Sequence, residues 1–401
     1  MPKRATTTTP VPLAVVAGLF LATLALRPQI LAIGPLLPLI RTDLDLPASL
    51  AGLLTTIPIV CMGIFAPIGP RFAARLGART AFAVCLGLIV AFGVLRAGAP
   101  AFPLILLATL GIGVGIGIAG AIPSMIVSQR LSTWPALGTG SYAAGIVAGS
   151  TIGAGVAVPL ALGGDWRLSL LIVSLGSFVS IGAWLLLVRR EGTFARLDPR
   201  ARVLPWGSGT GWLLVVLFGL QSVIFYGIVA WLPNAFVERG WSAAEAGSLV
   251  AVFNGVGIVT TAGVPLVADR FGSRRTQLLA AAVISTVGLT GIVVMPAYAY
   301  GWIAIVGVAL GVVFPLVLTL PLDVADDPGQ VGSVAALMLF GGYILASVAP
   351  IVLGAARDVT GDFETSLWIL VAVSAGLVAC CTLLSPARLQ RGIRRPGLRP
   401  V

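Results

Sequence analysis

Gly69-Pro70-Arg71-Phe72-Ala73-Ala74-Arg75-Leu76-Gly77-Ala78-Arg79 has a counterpart late in the chain, Pro265-Leu266-Val267-Ala268-Asp269-Arg270-Phe271-Gly272-Ser273-Arg274-Arg275. A shift of 195 positions lays Pro70, Arg75, Gly77 and Arg79 on Pro265, Arg270, Gly272 and Arg274. The same register runs upstream, where Leu37-Pro38 falls on Leu232-Pro233, and Ala48, Ala51, Gly52 and Leu54 fall on Ala243, Ala246, Gly247 and Leu249. Further on the shift becomes 201, and Gly140, Tyr142, Ala148 and Gly153 fall on Gly341, Tyr343, Ala349 and Gly354. Ala, Gly and Leu match easily in such a sequence, whereas polar and proline matches in one register do not. A parallel repeat of this length is the mark of a chain built from two like bundles.

Both copies are flanked by apolar runs. Of the 401 residues, 58% are hydrophobic and 10% charged. Soluble domains carry about 25% charged residues, so a soluble enzyme, a nucleic-acid module and a disordered scaffold are excluded. A membrane helix needs about 20 apolar residues. Twelve segments of that kind are expected, near 12–40, 47–69, 79–97, 101–128, 137–162, 167–188, 208–236, 243–268, 275–294, 297–321, 331–354 and 366–385. The chain therefore reads as an all-α integral membrane protein of twelve transmembrane helices in two six-helix bundles. Residues 1–190 form the first bundle, 191–207 a linker, and 208–401 the second bundle with a basic tail. The polar residues ahead of the first span, with no small-residue cleavage site, make it a retained helix. Pro123 and Pro315 are expected to kink spans four and ten.

The net charge of +11 is a matter of topology. With an even number of spans both termini share one side. If that side is the cytoplasm, nineteen of the 25 cations lie on it and five (Arg41, Arg96, Arg167, Arg239 and Arg357) lie opposite. The positive-inside rule then sets both termini in the cytoplasm, and a bacterial cytoplasmic (inner) membrane is the expected location. Lipid is one expected partner, through the tail from Arg391 to Arg399. Nucleic acid is not a partner, and a monomer is expected.

The two basic segments resemble the loop motif of the major facilitator superfamily, and Asp269-Arg270-Phe271-Gly272 fits it well. The first copy departs from it at Ala74, where the superfamily usually carries Asp. Within the superfamily, Leu26-Arg27-Pro28-Gln29-Ile30-Leu31-Ala32-Ile33-Gly34-Pro35-Leu36-Leu37-Pro38 is similar to the first helix of the cyanate/2-nitroimidazole transporter family. Residues 51–67 are similar to its second helix. The resemblance implies a major facilitator fold and alternating access around a mid-membrane site.

One cation is left over by the topology. Arg27 falls mid-span, where an arginine is costly unless paired or facing water. All 14 acidic residues lie in loops or at span ends, so no carboxylate is offered to it. A small anion would supply the missing charge. Helical spacing puts Phe20, Thr23, Leu24, Ile30, Leu31 and Gly34 on or near the same face, a tight and mostly apolar lining. Gln221, Tyr226 and Asn254 are the polar candidates in spans seven and eight, and Ser222 is the image of Arg27 under the repeat. Tyr142 and Tyr343 are images of one another, and as facing aromatics could sandwich a planar or linear anion. Buried amides and hydroxyls also serve as glue between helices. Gly145, Gly149 and Gly153, spaced by four, suit close helix packing.

Histidine is absent, and Cys61, Cys85, Cys380 and Cys381 all lie in apolar runs, so no metal site or disulfide framework is expected. No cofactor and no catalytic residue is expected either. The reading is a secondary transporter for a small anion, cyanate first, with Arg27 as its charge partner. The alternatives are an exporter of neutral planar compounds such as 2-nitroimidazoles, and a transporter-like sensor that binds without flux.

Overall fold

The computed structural model describes residues 12–46, 48–161, 165–188, 204–267, 273–325 and 327–384. Asp269-Arg270-Phe271-Gly272, most of the expected linker and the basic tail lie outside these residues. Among the described residues there is no strand. Eleven segments are long and apolar enough to cross a membrane, or twelve when a pair bent by 64°, Gly52–Phe65 with Ile68–Leu76, is taken as one span.

The elements run in chain order. The first half holds α1 (Leu13–Leu24), α2 (Pro28–Leu31), α3 (Ile33–Leu44), α4 (Ala48–Phe65), α5 (Ile68–Leu76), α6 (Ala78–Gly98), α7 (Phe102–Ala119), α8 (Ile122–Arg130), α9 (Pro135–Leu160) and α10 (Trp166–Leu187). The second holds α11 (Gly209–Glu238), α12 (Ala243–Val267), α13 (Arg274–Val294), α14 (Ala299–Val324), α15 (Pro328–Thr360) and α16 (Glu364–Thr382). The end of the molecule that holds Leu13 and Thr382 is called basal below, and the other end apical.

Two of the spans differ in their boundaries from the sequence reading. Span one is not a single helix. Pro28 has no N–H to give to Leu24, and its ring crowds the carbonyl one turn back. The chain accordingly turns at Ala25–Arg27, where Leu26 N–H bonds Thr23 O at 3.1 Å, and restarts as α2. Span two bends at Ala66-Pro67, and much of the expected basic loop is helix α5. It ends at Gly77, whose φ of 81° is a conformation that favours glycine. Span four breaks at Gly120-Ala121, just before Pro123, as expected, whereas α14 runs through Pro315 and Pro321 without interruption.

Small residues set the packing of the first span. A Cβ added at Gly145 would strike the carbonyl of Phe20, at Gly149 that of Leu24, and at Gly153 the backbone of Pro28. The four-residue glycine ladder of α9 thus lies directly on the backbone of α1 and α2. The repeat partner of this contact is α15 on α11, where Gly341 meets Val215 and Gly342 meets Phe218. The halves meet through α12 and α14 on α9, and through α15 on α4 and α8. Near the basal end this contact is tight: a Cβ at Gly332 would lie 2.5 Å from the Met125 sulfur.

Each bundle is pinned at its apical end by an acid on its first span. Asp43 accepts from Trp166 Nε1 at 3.1 Å and lies 3.7 Å from Arg167. Glu238, which the 195 shift aligns with Asp43, takes Nε and Nη2 of Arg357 at 3.1 and 2.9 Å.

Candidate functional site

The break in span one delivers Arg27 to the interior. It caps α2 with φ −114° and ψ −27°, and is 7% exposed. Discontinuous helices commonly build transporter sites in this way. Its Nη1 donates to the Tyr226 hydroxyl at 2.6 Å and its Nη2 to the Tyr343 hydroxyl at 2.8 Å. Both tyrosines belong to the other half of the chain, one on α11 and one on α15. Their rings are held edge-on, Tyr343 against Phe218 at 5.1 Å and Tyr226 against Phe225 at 5.3 Å between centroids.

A cavity of about 60 Å³ opens beside the guanidinium. One water needs roughly 10–15 Å³, so a solute of a few heavy atoms fits. The first half contributes Arg27, Ile146, Val147 and Ser150 to the wall, and α11, α12, α14 and α15 contribute the rest. The polar lining is Arg27, Ser150, Gln221, Ser222, Tyr226, Asn254, Thr261 and Tyr343; no carboxylate is among the lining residues. The ring lining is Phe218, Phe225, Phe253 and Phe314.

The hydrogen-bond inventory is uneven. Each phenol oxygen accepts from Arg27, and neither phenol proton has an acceptor among the described residues. The guanidinium also keeps unused N–H groups, having five in all. Asn254 donates to its own helix at Val250 O, 3.1 Å, leaving its amide oxygen free. Gln221 Oε1 accepts from Ser222 at 3.3 Å, leaving its amide N–H groups free. The Arg27 end of the cavity is a cluster of donors carrying a fixed positive charge.

Of the six residues singled out in the sequence, Arg27, Gln221, Tyr226, Asn254 and Tyr343 line this cavity, and Tyr142 does not. Tyr142 lies one turn of α9 toward the basal end from Ile146. Its hydroxyl is 3.0 Å from Ser124 Oγ and donates to Leu318 O at 3.4 Å, tying α8 and α14 together. Among the described residues no ring contact joins Tyr142 to Tyr343, and only Tyr343 of the two lines the cavity.

The face drawn around Arg27 also fails, because it assumed a continuous helix. None of those residues is among the cavity's lining; α9 lies on the backbone of Phe20 and Leu24, and Thr23 Oγ1 bonds Tyr142 O at 3.0 Å. Sequence reasoning missed the phenylalanines and Thr261. Their signal was present: Phe218, Ser222, Phe225 and Tyr226 follow the i, i+4, i+7, i+8 spacing of one helix face. It also passed over Arg96, which it counted only among the outside cations at the end of the third span and which is 0% exposed.

Comparison with known proteins agrees with this architecture. Over 372 residues the chain is 30% identical to the cyanate transport protein CynX of Escherichia coli (strain K12), covering 92% of this chain and 97% of that protein. It is 27% identical over 358 residues to the 2-nitroimidazole transporter of the same strain, covering 88% and 90%. Among solved structures, the proton:xylose symporter XylE superposes with a TM-score of 0.80 at 14% identity, over 94% of this chain and 96% of that one. The sequence matches the Major Facilitator Superfamily over residues 16–350. With that match spanning most of a chain already folded as two six-helix bundles around a central cavity, the protein belongs to the Major Facilitator Superfamily and is a secondary membrane transporter.

Proposed function

We propose that this transporter carries a small anion, cyanate being the first candidate, by alternating access around Arg27. One observation carries the reading: a permanently charged guanidinium in a mid-membrane cavity is held by two neutral phenols and faces no carboxylate. An anion entering there gains a charge partner and can accept from the guanidinium and from both phenol protons. Charge-assisted bonds of this kind are about twice as strong as neutral ones. The volume of about 60 Å³ suits an ion of a few heavy atoms. The relationship to the cyanate transport protein supports the choice of first candidate. A single chain holds every lining residue, so a monomer suffices. The cation asymmetry supports cytoplasmic termini, and the bacterial relatives support an inner-membrane setting.

A second reading has its own observation. Phe218, Phe225, Phe253 and Phe314 give the cavity broad apolar walls, and one relative is a 2-nitroimidazole transporter. A neutral planar heterocycle would use those rings and leave Arg27 on its phenols. Titration calorimetry on the purified protein separates the two. Cyanate binding that a 2-nitroimidazole fails to displace supports the anion site. Tight nitroimidazole binding with no heat from cyanate overturns it.

A further inference from the structure

A second arginine is buried inside the first bundle, away from the cavity wall. Arg96 lies in the last turn of α6 and is 0% exposed. Its Nη2 donates to two oxygens of Gln29, the backbone carbonyl at 2.8 Å and the side-chain Oε1 at 2.7 Å. Gln29 Nε2 in turn donates to Ser174 Oγ on α10 at 2.9 Å, and Ser174 Oγ donates to Leu170 O at 2.6 Å. A Cβ at Gly93 would lie 2.6 Å from Ser174 Oγ and 3.0 Å from Gln29 Nε2, so nothing larger than glycine fits beside this chain of contacts. Nε and Nη1 of Arg96 have no partner among the described residues, and no ion pair there includes it.

A buried guanidinium with no counter-charge and two unpartnered nitrogens, carrying three N–H groups between them, is expensive. What it holds is the break in span one. Gln29 follows Arg27 by two positions in the short helix α2. At 100° per residue, side chains two apart leave a helix on nearly opposite sides. Arg27 enters the cavity, and Gln29 enters the bundle behind it. The Gln29 carbonyl lies at the seam between α2 and α3, where the helical ladder is disturbed by the turn at Ala32. Both contacts run from the single nitrogen Nη2, at the tip of a side chain longer than that of lysine.

We propose that Arg96 is a positioning residue for the anion site: it clamps α2 from behind through Gln29 and keeps Arg27 aimed into the cavity. The ligand part of this proposal rests on the anion reading above; the clamp itself does not.

The test uses Arg96→Met, similar in length and uncharged, with two readouts on detergent-purified full-length protein. The first is hydrogen–deuterium exchange without ligand. Exchange across residues 24–33 should rise while that of α11 stays unchanged. A merely structural arginine would instead loosen α6 and α10 together with α2. The second is cyanate affinity, which should weaken roughly tenfold to a hundredfold, the scale of a misplaced binding group. Arg96→Lys should recover only part of both. Should Arg96→Met not fold, Ser174→Ala removes only the far anchor of Gln29 and should give smaller changes in the same direction. Unchanged exchange across 24–33, or a folded variant with wild-type cyanate affinity, overturns the proposal. If the unaltered protein binds no anion, the exchange readout still decides the clamp, and the proposed function alone falls.

Discussion

Tyr343, midway along α15, accepts a 2.8 Å hydrogen bond from Arg27, which stands at the break in the first span of the opposite half. Tyr226 on α11 takes the other arm of the same guanidinium at 2.6 Å. The charge of the site thus comes from one bundle and its hydrogen-bond partners from the other. Rocking the bundles against each other would stretch both bonds, and on the anion reading proposed above the ligand would compete for the same donors.

Tyr343→Phe removes one acceptor of Arg27 and one free phenol proton while keeping the ring against Phe218. The variant should fold normally and lose about 1–3 kcal/mol of anion affinity, the range for a bond to a charged group. Tyr226→Phe should behave alike. Calorimetric titration with cyanate checks both, and wild-type affinity in either variant would remove that phenol from the site.

Gly149→Ala should destabilise the protein by about 1–3 kcal/mol through overpacking. The new methyl would meet the Leu24 carbonyl, and backbone cannot turn aside as a side chain can. Gly155→Ala, in the same helix with open space around it, should stay within about 0.5 kcal/mol of wild type. Thermal unfolding of the two variants in one detergent gives the comparison. Equal melting temperatures would mean that α9 does not approach α1 this closely.

The number of spans and the repeat were legible because both depend on composition and spacing. Arg27 was legible because a mid-span charge is rare enough to need a reason. What surrounds Arg27 was not, and the cause is local. The proline at 28 was visible, but how far the chain turns there depends on the glycines of α9, about 120 positions away, against which it packs. Tyr142 shows the limit of the repeat. It aligns with Tyr343, yet the basal contact of α8 and α14 occupies its hydroxyl. The role of Arg96 was not legible because position along a hydropathy profile does not report which way a helix faces. At the end of α6 it turns inward to Gln29.

Coupling follows from the lining. Proton-driven carriers usually place an Asp, Glu or His in the membrane path. The chain contains no histidine, and no carboxylate lines the cavity. Uptake into proteoliposomes should therefore follow an imposed anion gradient and respond little to an imposed pH gradient at fixed membrane potential. Cyanate can also cross as its conjugate acid, so a second anion that stays ionised at the assay pH serves as control. Concentrative uptake of that control driven by pH alone would reveal a coupling group outside the cavity.

Orientation has a direct test at Ser208, the N-cap of α11, whose hydroxyl accepts from Gly211 N–H at 3.1 Å. It stands at the basal end beside the linker, where the arginines concentrate. A cysteine there, in a background with the four native cysteines replaced, should react with a membrane-impermeant maleimide only after the cells are opened. Ready labelling of intact cells would place the basal end outside.

Arg27 decides between the two functional readings, and the argument has three steps. First, the guanidinium is 7% exposed and midway through the membrane, so its charge is costly unless a partner offsets it. Second, its two partners are neutral phenols, and no carboxylate lines the cavity. Third, the cavity it faces has room for a small ion. Arg27→Met keeps much of the side-chain volume and removes the charge. It should abolish anion binding and leave the melting temperature equal or higher, since replacing a buried charge with an apolar group is often neutral or stabilising. Arg27→Lys keeps the charge but reaches only one phenol at a time, and should bind about 1–3 kcal/mol more weakly. If Arg27→Met unfolds, the arginine is the link that holds the halves together. If it folds and carries anions normally, the charge plays no part in recognition, and the aromatic walls of Phe218, Phe225, Phe253 and Phe314 become the site for a neutral planar substrate.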